Sequence, residues 1–168
     1  MIGLKRKIIK LIPHHKSWVP FFEKEKTRIL KSIPSMNVEH VGSTAIPSIS
    51  AKPIIDIALG IKKIKDFNKY KNKLKKLGFE YHDNRGTQFN KFFTKGPAEC
   101  RTIYVHLVRY NGKIWKKYIG FRDKLNNNKQ LALQYNKLKQ KLATKFENRD
   151  FYTKAKSEFI EMVHKNKL

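Results

Sequence analysis

Val38-Glu39-His40-Val41-Gly42-Ser43-Thr44-Ala45-Ile46-Pro47, followed by Ala51-Lys52-Pro53-Ile54-Ile55-Asp56-Ile57-Ala58-Leu59, is the stretch of this 168-residue chain that says most. Met36 to Gly42 reads as a strand, Gly42 to Ser48 as a loop of small residues, and Pro53 opens a second strand over Ile54 to Ile61. Side chains alternate along a strand, so Ile55, Ile57, Leu59 and Ile61 share one face and suit packing on helices. The other face carries Ile54, Asp56, Ala58 and Gly60, small residues with a single carboxylate. An unpaired Asp in such a strand costs several kcal/mol, so Asp56 needs a donor, a cation or solvent. Two readings stay open: a carboxylate bonded to backbone N–H groups or a lysine, or one that faces a ligand or metal.

The Gly42-Ser43-Thr44 turn lies directly after a strand, where exposed amides and two hydroxyls can cradle a phosphate. A Gly-Ser pair alone occurs in many turns; one followed thirteen residues after Ser43 by a strand aspartate is more specific. Lys52 lies between them and either neutralises an anionic ligand or is an ordinary surface lysine.

Further along, residues 17–33 read as a helix capped by Ser17, with Pro20 in its first turn and Trp18, Phe21, Phe22, Glu25, Ile29 and Ile33 on one face. Residues 64–77 form a lysine-rich helix with Ile64, Phe67, Tyr70, Leu74 and Leu77 inward, closed by Gly78. Strand-like runs follow at Phe79 to His82, Phe89 to Thr94 and Thr102 to Tyr110, with turns at Asn84-Arg85-Gly86 and Gly96-Pro97. On the last run Tyr104, His106 and Val108 share a face, and His106 is either a metal ligand or general base, or a packed, hydrogen-bonded histidine. His14, His15 and His40 lack a partner pattern, and Cys100 lacks cationic activation.

From Lys113 the periodicity is helical. Trp115, Tyr118, Ile119, Arg122 and Leu125 line a first helix that stops at Asn126-Asn127-Asn128. Leu131, Tyr135, Leu138, Leu142 and Phe146 line a second, and Tyr152, Ala155, Phe159, Met162 and Val163 a third. The expectation is one domain over 1–168: an α/β (α+β) core at 11–112, with a mixed sheet of about five strands flanked by helices, and a helical section at 113–168 packed on it.

The chain has 38 Lys and Arg against 13 Asp and Glu, a formal charge of +25. Residues 62–76 hold eight basic residues against one acidic and 113–168 fifteen against five, whereas 37–61 hold one against two. The charge thus falls on helical segments, as solvated faces or as a surface for RNA or another polyanion. A single cysteine excludes a disulfide scaffold and a cysteine-built zinc cluster. No apolar run approaches the roughly 20 residues that span a bilayer, and the Met1 to Pro13 segment is too interrupted for a secretory signal. A reducing, cytoplasmic setting without membrane partners is the expectation.

Glu39 to Pro47 and Ala51 to Asp56 closely resemble the GrpB family, within the nucleotidyltransferase superfamily of polymerase-beta-like folds. The resemblance runs from about Leu11 to about Val163. It takes in the Trp18 helix, Asn90-Lys91-Phe92-Phe93-Thr94-Lys95, Tyr104-Val105-His106-Leu107, Gly120-Phe121-Arg122-Asp123-Lys124-Leu125, Tyr135 to Lys139 and Tyr152 to Ile160. It implies a nucleotidyltransferase-like fold in which Gly42, Ser43, Thr44 and Lys52 bind a nucleotide or other phosphate ligand. It further implies that Asp56 holds Mg²⁺, with Asp56 and His106 serving transfer of a nucleotidyl group to a small-molecule acceptor. The set is reduced: Ala58 stands where the superfamily has its second carboxylate, His106 where a third acid is usual, and Tyr104 where relatives commonly have another histidine. A non-catalytic module that binds RNA through the lysine-rich helices is the alternative.

Overall fold

The apolar residues 55–61 need cover on both faces, and the chain supplies it from helices on either side of one sheet. The computed structural model describes residues 2–5, 8–146 and 149–165. In order the elements are β1 (Leu4–Lys5), α1 (Trp18–Ser32), β2 (Asn37–Val41), β3 (Ile55–Ile61), α2 (Phe67–Lys76), β4 (Glu80–Thr87), β5 (Asn90–Lys95), β6 (Cys100–Arg101), β7 (Ile103–Arg109), α3 (Lys113–Asn127), α4 (Lys129–Lys145), α5 (Arg149–Ala155) and α6 (Ser157–His164). Residues 147, 148 and 166–168 of the anticipated helical section, and Met1, Arg6 and Lys7, lie outside the described residues.

The main sheet has five strands in the order β2-β3-β7-β5-β4. Only β3 and β7 run parallel; the other pairs are antiparallel, so the sheet is mixed. On one face Ile55, Ile57, Leu59 and Ile61 join Ile103, Val105 and Leu107 of β7 against Trp18, Phe22 and Ile29 of α1 and Leu74 of α2. Each such side chain contributes about 1.5–3 kcal/mol over exposure. On the other face Val41, Ala58 and Val108 lie beneath Trp115 of α3. A third cluster joins Ile46 and Ile49, from the loop after β2, to Phe121, Leu125, Ala132, Tyr135 and Val163. That cluster fastens the C-terminal helices to the loop that carries the glycine-serine turn.

Several local readings are corrected. Ser17 makes no side-chain cap for α1, because its Oγ is hydrogen-bonded to His15 Nδ1 at 2.7 Å. A two-stranded ribbon of β1 and β6, too short to carry a period, was not legible. Asn84-Arg85-Gly86 is no turn: it lies inside β4, where the register to β5 shifts between His82 and Gly86. Gly86 admits this bulge because its φ is +94° and a Cβ there would meet the Asn90 carbonyl oxygen. The hairpin turns instead at Gln88 and Phe89, which leaves Phe89 exposed and starts β5 at Asn90. The anticipated third C-terminal helix is two, broken at Lys156, where Ser157 Oγ donates to the Lys154 carbonyl. Asn128 ends the first one and caps the second, accepting from Leu131 N–H at 3.0 Å. No described helix is long and apolar enough to cross a membrane.

Candidate functional site

Val41 stands opposite Asp56 across the β2–β3 ladder, so the chain leaving β2 passes directly over the Asp56 side chain. Gly42 makes that passage with φ +69°, and a Cβ on it would lie 2.4 Å from Asp56 Oδ2. Both facts require glycine. Ser43–Ala45 then wind one 3-10 turn, with Ala45 N–H to Gly42 O and Ile46 N–H to Ser43 O at 3.3 Å each.

This turn is braced from behind. Thr44 Oγ1 is hydrogen-bonded to His40 Nε2 at 2.9 Å, and the His40 ring stacks on Phe22 at 4.7 Å. Burial, then the charge of Arg122, holds the His40 pKa down at about 4, so the ring is neutral at pH 7. Arg122 Nη1 donates to Glu39 Oε2 at 2.7 Å and to the His40 carbonyl at 2.9 Å, which ties the end of β2 to α3. The Ser43 hydroxyl is hydrogen-bonded to the Tyr135 phenol of α4.

In front of the turn is a cavity of about 270 Å³. Ser43, Thr44, Lys52, Asp56 and His106, five of the six residues singled out from the sequence, line it together. Gly42 packs on Asp56 just behind. The remaining wall was not anticipated: Arg85 from the bulge of β4, Phe92 and Tyr104 from the neighbouring strands, Lys139 of α4, Tyr152 of α5 and Lys156 at the break between α5 and α6.

Asp56 faces this cavity with Lys52 and Lys156 near enough to pull on its charge. Burial pushes its pKa up to about 6, against the pull of Lys52 and Lys156. Lys156 is itself pulled down to about 8 by burial, with Asp56 opposing the shift. Lys139 is 1% exposed, lies 5.0 Å from the Tyr135 ring centroid, and donates to the Ser50 carbonyl. Burial holds its pKa down at about 7, and repulsion from Lys156 and Lys52 adds to that. Lys52 and Lys156 both sit over the Tyr152 ring, at 4.9 and 4.4 Å from its centroid. Arg85 lies over Phe92 at 4.5 Å and over Tyr104 at 5.8 Å. Among the described residues, then, four cations and one carboxylate line the cavity.

His106 is held from its far side. Asn90 Nδ2 donates to Tyr118 Oη at 3.1 Å, and Tyr118 Oη lies 3.0 Å from His106 Nδ1. Burial pushes the phenol up to about 12, so it keeps its proton, and pushes His106 down to about 4, with Arg85 adding to the effect. Asn90 Nδ2 also lies 3.3 Å from His106 Nδ1, so both neighbours engage that nitrogen and Nε2 is the ring nitrogen left over.

These donors do not fit the Mg²⁺ site that the resemblance implies at Asp56. Ala58, two residues beyond Asp56, is buried under Trp115, and no group of three or more His, Cys, Asp or Glu side chains gathers to hold a metal among the described residues. Lys139 and Lys156 each left a trace in the sequence, four residues after an inward tyrosine. Lys139 sits four residues after Tyr135 and three before Leu142, on the buried stripe of α4, and Leu138, read as that stripe, is only half-buried.

Comparison with known proteins places this architecture. The family described as GrpB protein matches residues 8–166. The glutamate-rich protein GrpB of Alkalihalophilus pseudofirmus is 37% identical over 172 residues, which cover 97% of this chain and 98% of that protein. The crystal structure of the conserved protein GrpB from Enterococcus faecalis is similar with a TM-score of 0.83 and 28% identity, covering 94% of this chain and 96% of that one. The Cid1 poly(U) polymerase, solved with MgGTP bound, has a TM-score of 0.52 at 11% identity, covering 82% of this chain and 42% of that one; this is a likeness of fold alone. The fold is nucleotidyltransferase-like, and the chain belongs to the GrpB family.

Proposed function

We propose that the cavity binds a nucleotide or another phosphate-bearing small molecule. The observation that carries this reading is the charge imbalance: among the described residues, Lys52, Arg85, Lys139 and Lys156 face a space lined by the single Asp56 carboxylate. Lysines that repel one another across a cavity are relieved by an anion of more than one charge, and phosphate oxygens match their donors. Ser43 adds a hydroxyl, the 3-10 turn adds its leading backbone amides, and His106 adds a neutral ring nitrogen. Phe92 and Tyr104, bridged by the Arg85 guanidinium, offer a face on which a base or other planar group stacks. The donor set supports binding rather than transfer of a nucleotidyl group, since Asp56 has no second carboxylate beside it.

Calorimetric titration with the common nucleoside triphosphates tests the reading. Wild type is expected to bind at least one of them. Lys139→Met and Lys156→Met are each expected to weaken it about tenfold or more, because a charge-assisted hydrogen bond is lost. Lys75→Met, an exposed position on α2, is expected to change nothing. Absence of binding by every triphosphate, and by inorganic phosphate and pyrophosphate, overturns the proposal.

A second reading concerns the surface of α2. Leu74 is buried there while Lys69, Lys71, Lys73, Lys75 and Lys76 are exposed, the distribution a polyanion-binding helix has. RNA binding at low salt that survives charge reversal on this helix would remove that reading.

A further inference from the structure

We infer that the cavity takes its phosphate ligand as the free anion, with Lys52, Lys139 and Lys156 supplying the positive charge that divalent ions supply in a metal-dependent site. This rests on the phosphate reading above and goes beyond it by naming the ionic form of the ligand.

Three placements support it. Asp56, the one carboxylate among the described residues lining the cavity, already has Lys52 and Lys156 as its nearest positive influences. A divalent ion at Asp56 would displace neither lysine and would be repelled by both, by Lys139 and by Arg85. The position from which a second carboxylate would share the ion, Ala58, is 0% exposed and covered by Trp115. His106 has its Nδ1 engaged by Tyr118, so it offers the cavity one ring nitrogen, and with Asp56 that makes two ligands where no group of three gathers among the described residues. The remaining polar atoms are hydroxyls and backbone amides, which suit phosphate oxygens better than a cation whose ligands must share its charge.

The charges are consistent with a ligand that brings no counter-ion. Lys139 is held in a largely desolvated position by the Ser50 carbonyl and the Tyr135 ring, and is destabilised there by Lys52 and Lys156. A polyphosphate that arrives without magnesium relieves all three repulsions at once. The same polyphosphate neutralised by magnesium relieves fewer of them. Asp56 then competes with the ligand for the lysines and sets the cavity's affinity.

The test is calorimetric titration of the full chain with inorganic tripolyphosphate, in EDTA and in excess Mg²⁺, for wild type and Asp56→Asn. Tripolyphosphate is expected to bind wild type in EDTA, with affinity unchanged or weakened by Mg²⁺. Asp56→Asn is expected to bind about tenfold tighter, since a competing negative charge is gone. Binding that requires Mg²⁺, or that Asp56→Asn weakens, overturns the inference and leaves the phosphate reading standing. No binding of tripolyphosphate in either condition overturns the inference, and the phosphate reading falls with it only if the nucleoside triphosphates, phosphate and pyrophosphate also fail to bind. Should Asp56→Asn fail to fold by circular dichroism, the wild-type comparison of EDTA with Mg²⁺ decides alone.

Discussion

The α-carbon of Gly42 lies against the Asp56 carboxylate, so that a methyl group on residue 42 would stand 2.4 Å from Oδ2 and 2.9 Å from Cβ of Asp56. The two residues that the sequence places fourteen positions apart thus share one contact at the back of the cavity. Gly42→Ala is expected to lower stability by about 2 kcal/mol, through both this clash and a φ of +69° that alanine resists. Urea denaturation measures it. The loss should shrink in an Asp56→Ala background but persist, since the Cβ of residue 56 and the backbone strain remain.

Restoring the superfamily's second acid is the obvious engineering step, and its outcome is expected to be loss of the fold rather than gain of a metal. Ala58→Asp would bury a carboxylate beneath Trp115 among Val41 and Val108, with several kcal/mol of cost and no cation beside it. A melting temperature well below wild type, unimproved by Mg²⁺, is the expected result. A stable variant that binds Mg²⁺ would show that Trp115 can yield.

Stability below neutrality follows from three groups with opposite signs. His40 and His106 have folded pKa values near 4, below their ordinary 6.5, so their contribution is complete above pH 6.5 and is lost as pH falls through 4. Asp56 has a folded value near 6, above its ordinary 3.8, so its contribution is complete below pH 3.8 and is lost as pH rises through 6. Between pH 6 and 4 the unfolded chain binds two more protons at the histidines and one fewer at Asp56. These groups therefore cost about 1.4 kcal/mol per unit of acidification. Asp56→Asn removes the opposing term, and the acid limb of a urea-midpoint profile should steepen by about the same amount.

Ligand capture should carry protons with it above neutrality. Lys139 and Lys156 have pKa values of about 7 and about 8 in the free cavity, so at pH 8 part of their charge is missing. A bound anion favours the ammonium forms and draws protons in from the buffer. Calorimetry at pH 8 in two buffers of different ionisation heat should show net uptake, and Lys139→Met should reduce it. Affinity should decline from pH 7 to 9.

What was legible in the sequence is what repeats along it. The period-two alternation of residues 55–61 sets Ile55, Ile57, Leu59 and Ile61 against the α1 and α2 cluster, and isolates Asp56 as the one charge on the opposite face. Ser43, Thr44, Lys52 and His106 stood out because small, charged or imidazole side chains interrupt apolar runs. Arg85 did not, because Asn84-Arg85-Gly86 has turn chemistry and only the register of β4 on β5 turns it into a bulge. Lys139 and Lys156 were hidden differently. In a chain with 38 basic residues, a lysine on an apolar stripe has no contrast, although its spacing from Tyr135 and Tyr152 marks each as inward.

The break between α5 and α6 has a bearing on assembly in time. Every strand of the described sheet lies before residue 110, whereas Lys139, Tyr152 and Lys156 come after it. A chain emerging during synthesis holds its complete sheet, and the Gly42 turn with Asp56, before it holds two of the four cations. The completed cationic wall is therefore the last feature the molecule acquires. It is also the first it forfeits to a protease, since a cut beyond α4 takes away Tyr152 and Lys156 and touches no strand.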